Sequence, residues 1–105
     1  MGADPPKPFK IEIRDQKEFW AEVERLPAAS QNDLTQFMRD YLQIAQTTYL
    51  PGKCKPLRGE YKGYWEYELA QFKRLIYWPD LSARVVYIDY LGPHPDWRKM
   101  RGRKL

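Results

Sequence analysis

The sequence predicts an α+β domain in which two N-terminal helices pack on one face of a small, mostly antiparallel four-stranded sheet. Three observations carry this expectation. The apolar period is two over residues 9–14, helical between residues 15 and 45, and two again from Trp65 onwards. The resulting order of strand, helix, helix, strand, strand, strand keeps the helices together, which suits a layered fold with all of them on one side of a sheet. At 105 residues, 43% hydrophobic and 15% aromatic, the chain can fill one core without covalent staples.

Residues 1–8 hold Pro5, Pro6 and Pro8 without any periodicity and read as a flexible N-terminal arm. The domain itself is expected over residues 9–97, and residues 98–105 read as a basic C-terminal tail. Phe9 to Arg14 alternates apolar and charged side chains, the mark of a half-buried strand. Asp15 followed by Glu18 resembles a capping box, and Phe19, Val23 and Leu26 then recur at helical spacing up to Pro27. Ser30 and Asp33 repeat the start signal, after which Leu34, Phe37, Met38, Tyr41, Leu42 and Ala45 form the apolar stripe of a second helix that ends before Pro51-Gly52. Lys53 to Lys62 reads as a basic connector. Trp65, Tyr67 and Leu69 alternate with Glu66 and Glu68, and Phe72 to Trp78 and Arg84 to Leu91 supply two more strands, with Pro79-Asp80 as the turn between them.

Composition narrows the function classes. Cys54 is the sole cysteine and His94 the sole histidine, so an intramolecular disulfide is impossible and neither a dedicated metal site nor a cofactor is expected. No apolar run is long enough to span a bilayer and the first residues lack a secretory pattern, so a cytoplasmic protein with no membrane partner is expected. The net charge of +4 is unevenly spread: residues 1–52 hold 6 basic and 8 acidic side chains, residues 53–105 hold 12 and 6. A field concentrated in the second half attracts polyanions, nucleic acid first among them, or an acidic protein.

Strand alternation gives Arg74 its meaning. If Leu75 and Tyr77 pack under the helices, Arg74 projects from the opposite face, where Glu66 and Glu68 also emerge. Such a set is either part of a functional site or a plain cross-strand ion pair. His94 lies just after the last strand in Gly92-Pro93-His94-Pro95-Asp96-Trp97, where flanking prolines restrict the backbone and an imidazole can exchange a proton near neutral pH. Lys53, Lys55, Arg58 and Lys62 cluster before the second half's first strand, and Arg98, Lys99, Arg101, Arg103 and Lys104 close the chain. Both groups can neutralise phosphates, and Tyr61, Tyr64, Trp78 and Trp97 offer faces for unpaired bases.

Several segments together resemble the RelE/ParE superfamily of type II toxin–antitoxin toxins, in particular its RelE, YoeB and HigB members. They are Lys55-Pro56-Leu57-Arg58-Gly59, Gly63-Tyr64-Trp65-Glu66-Tyr67-Glu68-Leu69, Lys73-Arg74-Leu75-Ile76-Tyr77 and the Gly92 to Trp97 ending, in the family's order and at nearly its spacing. The resemblance implies a RelE-like fold, a ribosome-dependent endoribonuclease that cuts mRNA without a metal, and a small antitoxin as partner. It assigns Arg74 to the phosphate and His94 to proton transfer, leaving Glu66, Glu68 and Lys55 as candidates for the remaining catalytic work. Lys53, Arg58, Lys62, Lys73, Trp97, Arg98, Lys99 and Arg101 would then contact RNA. Departures bear on this set: Lys55 stands where YoeB-like members place a glutamate, Trp97 replaces a tyrosine, and Glu66 and Glu68 replace lysines of the RelE strand. The general base stays open. Two rival readings are a ParE-like poison of a topoisomerase and a catalytically silent relative that only binds an antitoxin.

Overall fold

A computed structural model of the chain describes residues 9–40, 54–70 and 73–93. The expected arm at 1–8, the tail at 98–105 and the second helix beyond Asp40 lie outside the described residues.

The first strand, β1 (Lys10–Ile13), turns Ile11 and Ile13 inward and leaves Lys10 and Glu12 exposed. Asp15 then caps α1 (Gln16–Arg25): its carboxylate accepts the Glu18 backbone N–H at 3.0 Å, satisfying one of the donors a helix start leaves unpaired. Pro27 cannot continue that helix, and the Gln31 side-chain amide donates to the Val23 and Leu26 carbonyls at 3.0 Å each, closing its C-terminal end. The next helix, α2 (Ala28–Asp40), starts earlier than its Ser30 and Asp33 signals suggest. The Gln31 N–H donates to the Pro27 carbonyl, so the proline itself opens the helix. Ser30 is buried, and Asp33 instead accepts the Tyr67 hydroxyl at 2.7 Å.

The second half forms β2 (Cys54–Pro56), a single 3-10 turn at Gly59–Tyr61, β3 (Trp65–Glu68), β4 (Arg74–Asp80) and β5 (Val85–Gly92). The sheet order is β1-β5-β4-β3-β2, with β1 parallel to β5 and every other pair antiparallel. The expected α+β layering is present, but the sheet has five strands instead of four. The additional strand, β2, lies inside the stretch read as a connector. It is three residues long, too short for alternation to register, and its Pro56 suits an edge that needs no donor. Pro79 and Asp80 also belong to β4 and not to the turn. The chain reverses over residues 81–84, where Asp80 accepts the Ala83 N–H at 3.0 Å and Arg84 takes a φ of 58°.

Both helices cover one face of the sheet. Phe19, Leu26, Leu34 and Phe37 meet Tyr67, Leu75, Tyr77, Val86, Ile88 and Leu91 in the main core, and Phe37 stacks on Tyr67 with ring centroids 3.6 Å apart. The opposite face, from which Arg74 is expected to project, carries a smaller cluster: Tyr64 and Ile76 are buried there under Leu57, Tyr61, Trp78 and Tyr90. Gly63, with φ 102°, lies against the edge of the Trp78 indole, where a side chain would crowd Nε1 at 3.2 Å. A bulge re-aims β5, because Tyr77 pairs with Ile88 and Ile76 with Tyr90, leaving Asp89 between them unmatched. No described helix is long and apolar enough to cross a membrane.

Candidate functional site

Cys54, Tyr67, Leu75 and Tyr77 face the helices, so alternation turns Lys55, Glu66, Glu68 and Arg74 to the other side of the sheet. The register then brings them together: Lys55 sits opposite Glu66, and Glu68 opposite Arg74. Arg74 Nη1 donates diagonally to Glu66 Oε1 at 2.6 Å and lies 3.7 Å from Glu68 Oε1. Lys55 Nζ lies 3.7 Å from Glu66 Oε2.

Burial ranks these contacts. The Glu66 and Arg74 side chains are only 6% and 18% exposed, whereas Glu68 and Lys55 are 47% and 57% exposed. A short charge-assisted bond away from water is far stronger than the two looser, solvated approaches beside it. Glu66 is therefore the anion committed to Arg74, and Glu68 the one left accessible. Arg74 Nε is also buried, with no acceptor among the described residues.

The end of β5 completes this region. Gly92 pairs with Arg74, and its φ of 155° is one that side-chain-bearing residues rarely adopt. The Tyr90 ring leans over it, since a Cβ at Gly92 would meet the Tyr90 hydroxyl at 3.0 Å. That hydroxyl donates to the Pro93 carbonyl at 2.6 Å, anchoring the last described residue before His94. One strand edge further on, Arg14 Nε donates to the buried Asp89 at 3.2 Å, and its guanidinium lies 5.8 Å from the Tyr87 ring centroid. Tyr87 in turn stacks on Trp78 at 5.5 Å.

The other candidates fall into three places. Arg58 and Lys62 are exposed around the 3-10 turn that joins β2 to β3. Lys73, just before β4, lies on the helix side, 3.8 Å from Glu22 of α1. His94, Trp97, Arg98, Lys99, Arg101 and Lys53 lie outside the described residues. Cys54 is unsuited to nucleophilic work: burial pushes its thiol above the ordinary value, against a smaller opposing effect of its 2.9 Å contact with the Tyr77 hydroxyl. Burial likewise pushes the Tyr77 phenol up, with the Cys54 contact adding to it.

Sequence reasoning missed Tyr90 and the Arg14–Asp89 pair. The available signal was Asp89 itself, an acid inside the apolar run Val85 to Leu91, which marks a position where strict alternation fails.

Neither a family model nor a curated protein matches the chain by sequence. Solved structures do match it in shape. The RelBE2 toxin–antitoxin complex from Mycobacterium tuberculosis is similar at 20% identity and TM-score 0.61, covering 83% of this chain and 99% of that one. The YoeB/ParE toxin from Agrobacterium tumefaciens is similar at 23% identity and TM-score 0.61, covering 82% and 99%. A mutant of YafQ from E. coli is similar at 26% identity and TM-score 0.57, covering 82% and 93%. The resemblance carried by the strand motifs thus holds in three dimensions, and the chain has the fold of the RelE/ParE toxins.

Proposed function

We propose that this chain is the toxin of a type II toxin–antitoxin pair and acts as a ribosome-dependent mRNA endoribonuclease. The observation that carries the reading is the place of Arg74: on the sheet face away from the helices, beside two carboxylates, and paired with Gly92 two residues before His94. The likeness to toxin structures supports the toxin role, and because one of them is a toxin–antitoxin complex, an antitoxin is the expected protein partner.

In the chemistry this reading requires, a base removes the ribose 2′-OH proton, the resulting oxyanion attacks the adjacent phosphorus, and an acid protonates the departing 5′-oxygen. The products are a 2′,3′-cyclic phosphate and a free 5′-hydroxyl. Glu68 is the better base of the two carboxylates, being half exposed and only loosely held, while Glu66 is engaged by Arg74. Arg74 stabilises the charge that builds on the phosphate, and His94 supplies the proton to the leaving oxygen. Arg58 and Lys62, exposed on the neighbouring loop, contact the RNA backbone, as do the basic residues of the C-terminal segment.

One observation favours a second reading. The charges of Lys55 and Arg74 are matched by those of Glu66 and Glu68, as suits a relative that binds an antitoxin without cutting RNA. Purified protein added to translating ribosomes, and in parallel to a topoisomerase supercoiling reaction, separates the readings. Cleavage within the decoding site, with a 2′,3′-cyclic phosphate end, supports the nuclease. Intact mRNA with inhibited DNA supercoiling would point to a ParE-like poison, and intact mRNA with unaffected supercoiling to a silent relative.

A further inference from the structure

Glu66 occupies the approach to Arg74 that a phosphate oxygen needs. Its Oε1 accepts from Arg74 Nη1 at 2.6 Å, its Oε2 faces Lys55 at 3.7 Å, and Glu68 stands 3.7 Å from the same guanidinium nitrogen. Four formal charges are thereby balanced two against two before any ligand arrives. A phosphodiester entering this cluster meets two like charges at close range, on a surface where screening by water is incomplete for the inner pair. Displacing Glu66 has its own cost, because the carboxylate is almost fully buried and would keep only the loose contact to Lys55.

We propose that Glu66 is an internal counter-anion that competes with the phosphodiester for Arg74 and thereby sets how tightly this site holds RNA. The inference rests on the reading of Arg74 as the phosphate-binding group. Glu66 holds the guanidinium in place and at the same time withholds its charge, so RNA binds here by exchange: the Glu66 carboxylate gives way and a phosphate oxygen takes its bond. The residue most responsible for weak binding is then a buried glutamate, and the half-exposed Glu68 contributes less.

The test is binding of a short single-stranded oligoribonucleotide, followed by fluorescence anisotropy over a salt series, to the full chain and its variants. Glu66→Gln keeps an oxygen that can accept from Arg74 but removes the charge. It should bind about tenfold tighter than wild type at low salt, and its salt slope should steepen by about 0.7 for the added positive charge. Glu68→Gln should tighten binding less than threefold. Arg74→Ala should weaken binding and abolish the gain from Glu66→Gln in the double variant. If Arg74→Ala weakens binding but Glu66→Gln binds no tighter than wild type, the counter-anion role is overturned while Arg74 stands. If Arg74→Ala leaves binding unchanged, Arg74 is not the phosphate group and both readings fall. Should Glu66→Gln not fold, a folded Glu66→Ser decides on the same terms, its gain counting only if Arg74→Ala in the same background abolishes it.

Discussion

The Tyr90 hydroxyl donates to the Pro93 carbonyl at 2.6 Å across the bare backbone of Gly92, directly beside Arg74. This bond fixes the point from which the chain departs towards His94. Tyr90→Phe should therefore leave the fold in place, at a cost of about 1 kcal/mol in urea unfolding. Single-turnover mRNA cleavage should nonetheless fall about tenfold, with ribosome binding unchanged, because positioning of catalytic groups tolerates little displacement. Wild-type cleavage by this variant would remove the anchor from the account.

The stacked pair of Phe37 and Tyr67 ties α2 to β3, with Phe37 1% exposed. Phe37→Ala should cost about 3–5 kcal/mol of unfolding free energy through reduced burial and the cavity left behind. Asp15→Ala, which removes only the α1 cap, should cost about 1 kcal/mol. Equal destabilisation in the two variants would contradict the assignment of the core to the helix-bearing face.

Burial of Cys54 and Tyr77 should make stability fall at alkaline pH. Both have folded-state pKa values raised above their ordinary 9.0 and 10.0, so the unfolded chain holds fewer protons at high pH. Their contribution is complete below the ordinary thiol value and is lost as pH rises through the folded ones. The urea midpoint should be level between pH 7 and 8 and should drop above about pH 9. Cys54 should also resist iodoacetamide in the folded protein and react once urea unfolds it. Rapid labelling of the native chain would contradict its burial.

The exposed Arg58 and Lys62 should each neutralise a phosphate of the bound RNA. Reversing both to glutamate should weaken ribosome or RNA binding and flatten its salt dependence by up to about 0.7 for every single-strand phosphate no longer neutralised. An unchanged slope would place the RNA elsewhere.

Most of the fold was legible because its elements are long or strongly periodic. The alternation of Trp65 to Leu69 and the Asp15 cap identify β3 and α1 without tertiary knowledge. What the sequence hides are features decided by pairing. β2 becomes a strand only because Cys54 finds Tyr67 across the sheet edge, and Ser30 loses its apparent capping role because Pro27 begins the helix first. Within the candidate site, alternation alone placed Glu66, Glu68 and Arg74 on one face. It could not rank them, since 2.6 Å for Glu66 against 3.7 Å for Glu68 follows from a diagonal reach that the direct Glu68–Arg74 register does not suggest. The Tyr90 anchor depends on the Asp89 bulge, which shifts every later side chain of β5 to the other face.

The proposed role of Arg74 is to stabilise the charge developing during strand scission. Its most direct test is single-turnover cleavage on mRNA-programmed ribosomes, comparing wild type with Arg74→Ala and His94→Gln after each is shown to fold and to bind ribosomes. Wild type should cleave, with a loss on the order of 100-fold or more for Arg74→Ala and of roughly 100-fold to 10,000-fold for His94→Gln. Wild-type cleavage rates from a folded Arg74→Ala protein would contradict that role.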